Sequence, residues 1–361
     1  MTRGRRATRY VALIRAINVP GHAQLVDGDE DHGVRANRRG VRHNRVMTRH
    51  TIASVMAAVV FCAASLQSAR AQQPAAPPNP STDLLQQAEQ QMRDGKEQQA
   101  VALARQAVAA SPESYQANNT LGAMLDFAGM YREARDAFAK AAAIAPNADD
   151  KTRAERAIAI SYGFEGDCTN AATHEEPLYR QYLDANDFNN AGGVANELAR
   201  LCLDAGNVDF AERWYRMGSE AGLRESDIGA DGQDLWRYRL EHALARIAAR
   251  RGQKAEARKH VAAAKEILDR GNMPAQQKEF FPYLTGYVAL HTGDYQAALS
   301  ELQQANQNDA YVLGLIAQTY EKLGQTDRAM EYYRKVMAST THNPTTAGSR
   351  PLARQKLAAG K

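Results

Sequence analysis

The chain has 361 residues, 44% hydrophobic and 24% charged, with no run of about 18 apolar residues. That excludes wholesale disorder and a multi-span membrane protein, and three cysteines without a CxxC pair exclude a disulfide scaffold or a cysteine-built zinc site. The net charge of +4 is no sign of nucleic acid: residues 1–46 hold ten Arg against four acids, Arg49 and Arg70 follow, and the remaining 290 residues carry 33 basic and 37 acidic groups.

In chain order, residues 1–46 are Arg-rich and aperiodic. They read as a disordered start-site misassignment, with translation beginning at Met47. The alternative is a cytoplasmic tail ahead of a signal anchor. From Met47 come a basic start, an apolar run from Ile52 to Ala64, and Ser68-Ala69-Arg70-Ala71. This is the pattern of a signal peptide over 47–71, with Ala69 and Ala71 at the cleavage site. Phe61 before Cys62 argues against a lipoprotein box. The expected product begins at Gln72, periplasmic or secreted, with no stable membrane insertion. Residues 72–80 are Pro-rich and read as an extended linker.

Glycine then punctuates the chain at Gly95, Gly129, Gly166, Gly206, Gly252, Gly293 and Gly324, at intervals of 34, 37, 40, 46, 41 and 31. Each glycine separates two amphipathic stretches of about 14 residues, the pattern of helix–turn–helix units. Residues 115–148 place Leu121-Gly122, Gly129, Tyr131, Ala134, Phe138, Ala141 and Pro146 as the tetratricopeptide repeat does. Residues 81–114, 279–312 and 310–343 give further copies. Counting each glycine as the fifteenth position, 19 of the 21 eighth, twentieth and twenty-seventh positions are Gly or Ala, the exceptions being Leu178 and Val336. Composition alone gives about five or six. The chain therefore resembles the tetratricopeptide family over 81–343, with regular repeats at 81–148 and 279–343. Units within 152–278 are degenerate, with longer connections.

The resemblance implies an all-α, right-handed solenoid of about seven hairpins, its first helices lining a concave groove. Large residues such as Phe138, Tyr215, Leu302 and Tyr333 should fill the core between repeats. Residues 344–361 form a tail in which a short basic helix from Arg350 to Ala358 is a terminal cap; the alternative is a frayed end. In the family's register the groove-facing residues are Arg153, Arg156, Asn196, Arg200, Arg239, His242, Arg246 and Arg250, then Phe280, Tyr283, Tyr287 and His291. A basic strip beside an aromatic one suggests an acidic peptide as ligand. The same register sets Cys168 at the start of one helix and Cys202 near the end of its neighbour. An oxidising compartment would join them.

Catalytic motifs are missing from the sequence: there is no phosphate-binding GxxxxGK[ST], no GxSxG and no HExxH. Asp227 to Asp234 faintly suggests a calcium loop, but its twelfth position is Tyr238 rather than the bidentate Glu. It reads better as a loop in which Asp231 or another polar residue caps the next helix. No catalytic residue, cofactor or metal is expected. The expected function is a non-catalytic protein- or peptide-binding scaffold in the cell envelope. A structural subunit of an envelope or secretion assembly, and an enzyme with an unrecognised site, are the alternatives.

Overall fold

The computed structural model describes residues 80–360, which hold sixteen α-helices, one 3₁₀ turn and no strand. The start-site segment, the signal peptide with Ala69 and Ala71, and most of the Pro-rich linker lie outside those residues. Fourteen helices pair into seven hairpins. These are α1 (Pro80–Arg93) with α2 (Glu97–Ala110), α3 (Tyr115–Ala128) with α4 (Tyr131–Ala143), and α5 (Ala148–Phe164) with α6 (Cys168–Asp184). Next come α7 (Phe188–Asp204) with α8 (Val208–Leu223) and α9 (Ala230–Arg250) with α10 (Lys254–Asp269). The last are α11 (Phe281–His291) with α12 (Tyr295–Leu302) and α13 (Ala310–Lys322) with α14 (Thr326–Met337). The result is an α-solenoid, each hairpin stacked on the next.

Local chemistry explains the boundaries. The seven spacing glycines all adopt φ between 71 and 87°, the left-handed turn that only Gly enters without cost. Ser114, Asn147, Asp167, Asp187, Asp294 and Asp309 cap helices, each side chain accepting from a first-turn N–H. Asp231 is not such a cap: Gly229 precedes α9, and Asp231 lies in its first turn, where the helix dipole favours a carboxylate.

The small positions are where helices meet closely. Ala88, Ala134, Ala199, Ala245 and Ala317 have no exposed surface, and a Cβ on Gly122 would stand 2.6 Å from the Phe138 ring. Phe138, Tyr215, Leu302 and Tyr333 are all buried between these helices. The middle repeats keep the register but differ from expectation in how they lengthen. Their helices gain turns, 17 residues in α5, α6 and α7 and 21 in α9, and only residues 224–229 and 270–280 are longer connections.

The tail does not simply extend the stack. After α14 the chain turns inward: α15 (Pro344–Ala347) packs on α5, α7 and α13, all first helices of their hairpins. The second tail helix, α16 (Arg350–Ala359), lies on α14 and also reaches the first two hairpins. The concave side is therefore occupied by the chain's own end.

Candidate functional site

The groove-facing residues come from helical spacing. On α7, Arg200 and Asp204 stand one turn apart, and on α9 so do His242, Arg246 and Arg250, each set sharing a face. Tyr283, Tyr287 and His291 repeat that spacing on α11. The curvature of the stack brings α13 back to α7, where the Tyr311 hydroxyl donates to Asp204 Oδ1 at 2.7 Å. Arg200 Nε donates to Asp204 Oδ2 at 2.8 Å, and its guanidinium lies 4.1 Å from the Tyr311 ring centroid. Arg246 donates to the Tyr215 hydroxyl at 3.1 Å and to the His242 carbonyl at 3.3 Å. Tyr283 stands among His242, Tyr287 and Tyr311, with ring centroids 5.4, 6.1 and 6.2 Å away.

These side chains form a buried layer, not the open strip expected. Asn196, Arg200, Arg239, His242, Arg246, Phe280, Tyr283 and Tyr287 are all at most 9% exposed. Arg153 and Arg156 stand apart from it. Arg153 is exposed and pairs with Asp150, while Arg156 grips Glu197 with two bonds of 2.9 and 2.5 Å. The cause of the closure is long-range: α13 and the tail cover what α7, α9 and α11 alone would leave open. Arg250 and His291 line a remaining cavity of about 200 Å³ with Asp204, Tyr311, Gly348 and Ser349, and Arg200, Phe280 and Tyr283 border a smaller one.

Burial sets the charge states. His242 is driven well below the usual histidine range by burial, then by Arg246 and Arg200. His291 is pushed down to about 4 by burial, then by Arg250. Burial pushes Tyr287 up to about 12. At neutral pH the layer thus holds neutral imidazoles and phenols around charged guanidiniums. Further along, buried Glu175 is pushed well above the carboxylate range by burial, then by the charge of Glu197.

A second polar centre was not legible from spacing. His342 sits among the Phe127, Phe138 and Phe164 rings, and its Nε2 lies 2.7 Å from Oδ2 of buried Asp126. Arg350, 1% exposed, donates to the Phe127 carbonyl at 3.0 Å and to Glu97 at 2.9 Å. Its other nitrogen bonds the Met337 and Ser339 carbonyls at 2.7 and 3.1 Å. Arg354 adds two bonds to Glu97 at 2.8 and 2.9 Å and one to the Phe127 carbonyl. The expected cap is thus a clasp from the last residues to the first two hairpins.

A disulfide joins Cys168, the first residue of α6, to Cys202 near the end of α7, with Cα atoms 4.8 Å apart. Among the described residues no group of three or more His, Cys, Asp or Glu is placed to hold a metal. None of the described helices is long and apolar enough to cross a membrane. What the interior offers chemically is recognition: guanidiniums and tyrosines at its centre, carboxylates and a helix-end carbonyl that the tail arginines take near α1 to α3.

The tetratricopeptide repeat family model matches residues 289–345, from the end of α11 into the tail. No curated protein matches the chain. Among solved structures, a tetratricopeptide repeat protein from Parabacteroides merdae ATCC 43184 is similar at 13% identity and a TM-score of 0.40, over 77% of this chain and 97% of that one. A chain of the APC/C hetero-tetramer Cut9–Hcn1 is similar at 17% identity and 0.38, over 77% of this chain and 48% of that one. PilW, a widely conserved type IV pilus biogenesis factor, is similar at 16% and 0.29, over 72% and 92%.

Proposed function

We propose that the chain is a tetratricopeptide-repeat protein, a non-catalytic scaffold that binds another protein after export to the periplasm or beyond. One observation carries this reading: the concave wall already grips a peptide segment, residues 339–359, through side chains and backbone carbonyls. A surface that holds one segment by such contacts is suited to holding another. Export is supported by the basic, apolar and small-residue order of 47–71. The Cys168–Cys202 bond supports it too, since disulfides persist in oxidising compartments. An acidic partner segment would enter at the cavity beside Arg250, whose guanidinium suits a carboxylate.

The test is crosslinking in the native cell followed by mass spectrometry, with wild type and Arg250→Glu. A single protein captured by wild type and lost with Arg250→Glu supports the groove. Capture that survives the change and maps to the outer helices supports instead a structural subunit of an envelope assembly. Intact mass of the exported protein is expected to begin at Gln72; residues 1–46 still attached would overturn the start-site reading.

A further inference from the structure

We propose that the tail is an exchangeable ligand in cis, and that the first two hairpins are a receptor for a partner helix carrying two arginines one turn apart, Arg-x-x-x-Arg. This rests on the scaffold reading and names the chemistry of a second partner segment, apart from the acidic one beside Arg250. The groups that both arginines share belong to the first two hairpins, while the Met337 and Ser339 carbonyls hold Arg350 from the tail side. Glu97, in the first turn of α2, takes both Arg350 and Arg354 on one carboxylate. The Phe127 carbonyl, in the last turn of α3, accepts from both arginines as well. Carbonyls at a helix end have no partner within the helix and carry its negative partial charge, so they attract cations. Met92 Sδ on α1, 3.4 Å from Arg350, closes the pocket floor.

Spacing fixes the ligand. Arg350 and Arg354 stand at i and i+4 on α16, so one carboxylate can meet both guanidiniums only if the ligand is helical there. On the first two hairpins the hold is made by ion pairs and carbonyl contacts, while Leu352 and Leu357 pack on the last repeats. Ala353 is the one fully buried apolar side chain of α16, and it packs with the last repeats rather than with the receptor. Polar contacts of this kind can be replaced, bond for bond, by another helix with the same two arginines. The tail's advantage is its tether, residues 338–343, which gives it an effective concentration of about millimolar. A partner must compete with that, which makes the resting protein closed and selective.

The probe is a synthetic peptide of residues 339–360, with a control carrying Arg350→Ala and Arg354→Ala. Added in excess to the full wild-type chain, the peptide is expected to accelerate amide exchange across 350–359, and the control is not. A full-length Arg350→Ala/Arg354→Ala variant should bind labelled peptide about a hundredfold more tightly than wild type. Adding Glu97→Gln should remove that gain. Unchanged exchange in wild type at about millimolar peptide overturns the proposal, as does binding indifferent to Glu97. Should the double variant fail to fold, the wild-type exchange experiment decides alone. Failure here would leave capture of a partner by other surfaces standing, which native-cell crosslinking reads separately.

Discussion

His291 lies 4.3 Å from the Tyr287 ring centroid beside Arg250, and its pKa is pushed down to about 4. The unfolded chain protonates it near 6.5, so between those values the unfolded state binds the extra proton and stability rises with pH. The contribution, about 3 kcal/mol, is present above pH 6.5 and lost as pH falls toward 4. Denaturant titrations of His291→Phe are expected to lack most of that acid loss; an unchanged slope would count against it. Glu175 works in the opposite sense. Its raised pKa means that the native carboxyl keeps a proton that the unfolded one releases, so stability falls as pH climbs past the ordinary carboxylate range. Glu175→Gln should therefore raise the melting temperature at pH 7, and raise it less at pH 4. The face carrying His291 was readable from four-residue spacing, whereas Glu175 was not singled out. The burial of His291 was not, because Tyr311, Gly348 and Ser349 beside it come from the next hairpin and the tail.

Two glycines separate two costs that a helical element can bear. A Cβ on Gly222, in α8, would stand 2.0 Å from the ring of Trp236, which α9 buries completely. Gly222→Ala should cost about 1–3 kcal/mol by overpacking and shift the Trp236 emission. Gly206 has open space around it but φ of 87°. Gly206→Ala should cost about 1 kcal/mol through backbone strain alone, with Trp emission unmoved. Equal spectral effects in both would refute the distinction. The same contrast explains what the sequence revealed at this scale. Close approach forces small residues, so the register stayed visible through the degenerate middle. The added turns of α5 to α9 were hidden, because a longer amphipathic helix continues the same pattern that a loop insertion would interrupt only with Gly, Pro or Asn.

For the whole molecule, the bond between Cys168 and Cys202 closes 34 residues. It should stabilise by roughly 3–4 kcal/mol on a chain-entropy basis, and denatured, unreduced protein should show neither thiol to a maleimide. Two reactive thiols per chain would overturn it. The clasp of Arg350 and Arg354 onto Glu97 reaches further. In an open repeat array each unit depends only on its neighbours, and stability adds unit by unit. Here the first hairpin also depends on Arg350 and Arg354, far later in the chain. Synthesis proceeds from the N-terminus, and a nascent solenoid would finish most of its stack while Glu97 still lacked Arg350 and Arg354. A stop codon just before Arg350 would cost the protein its beginning, not only its end.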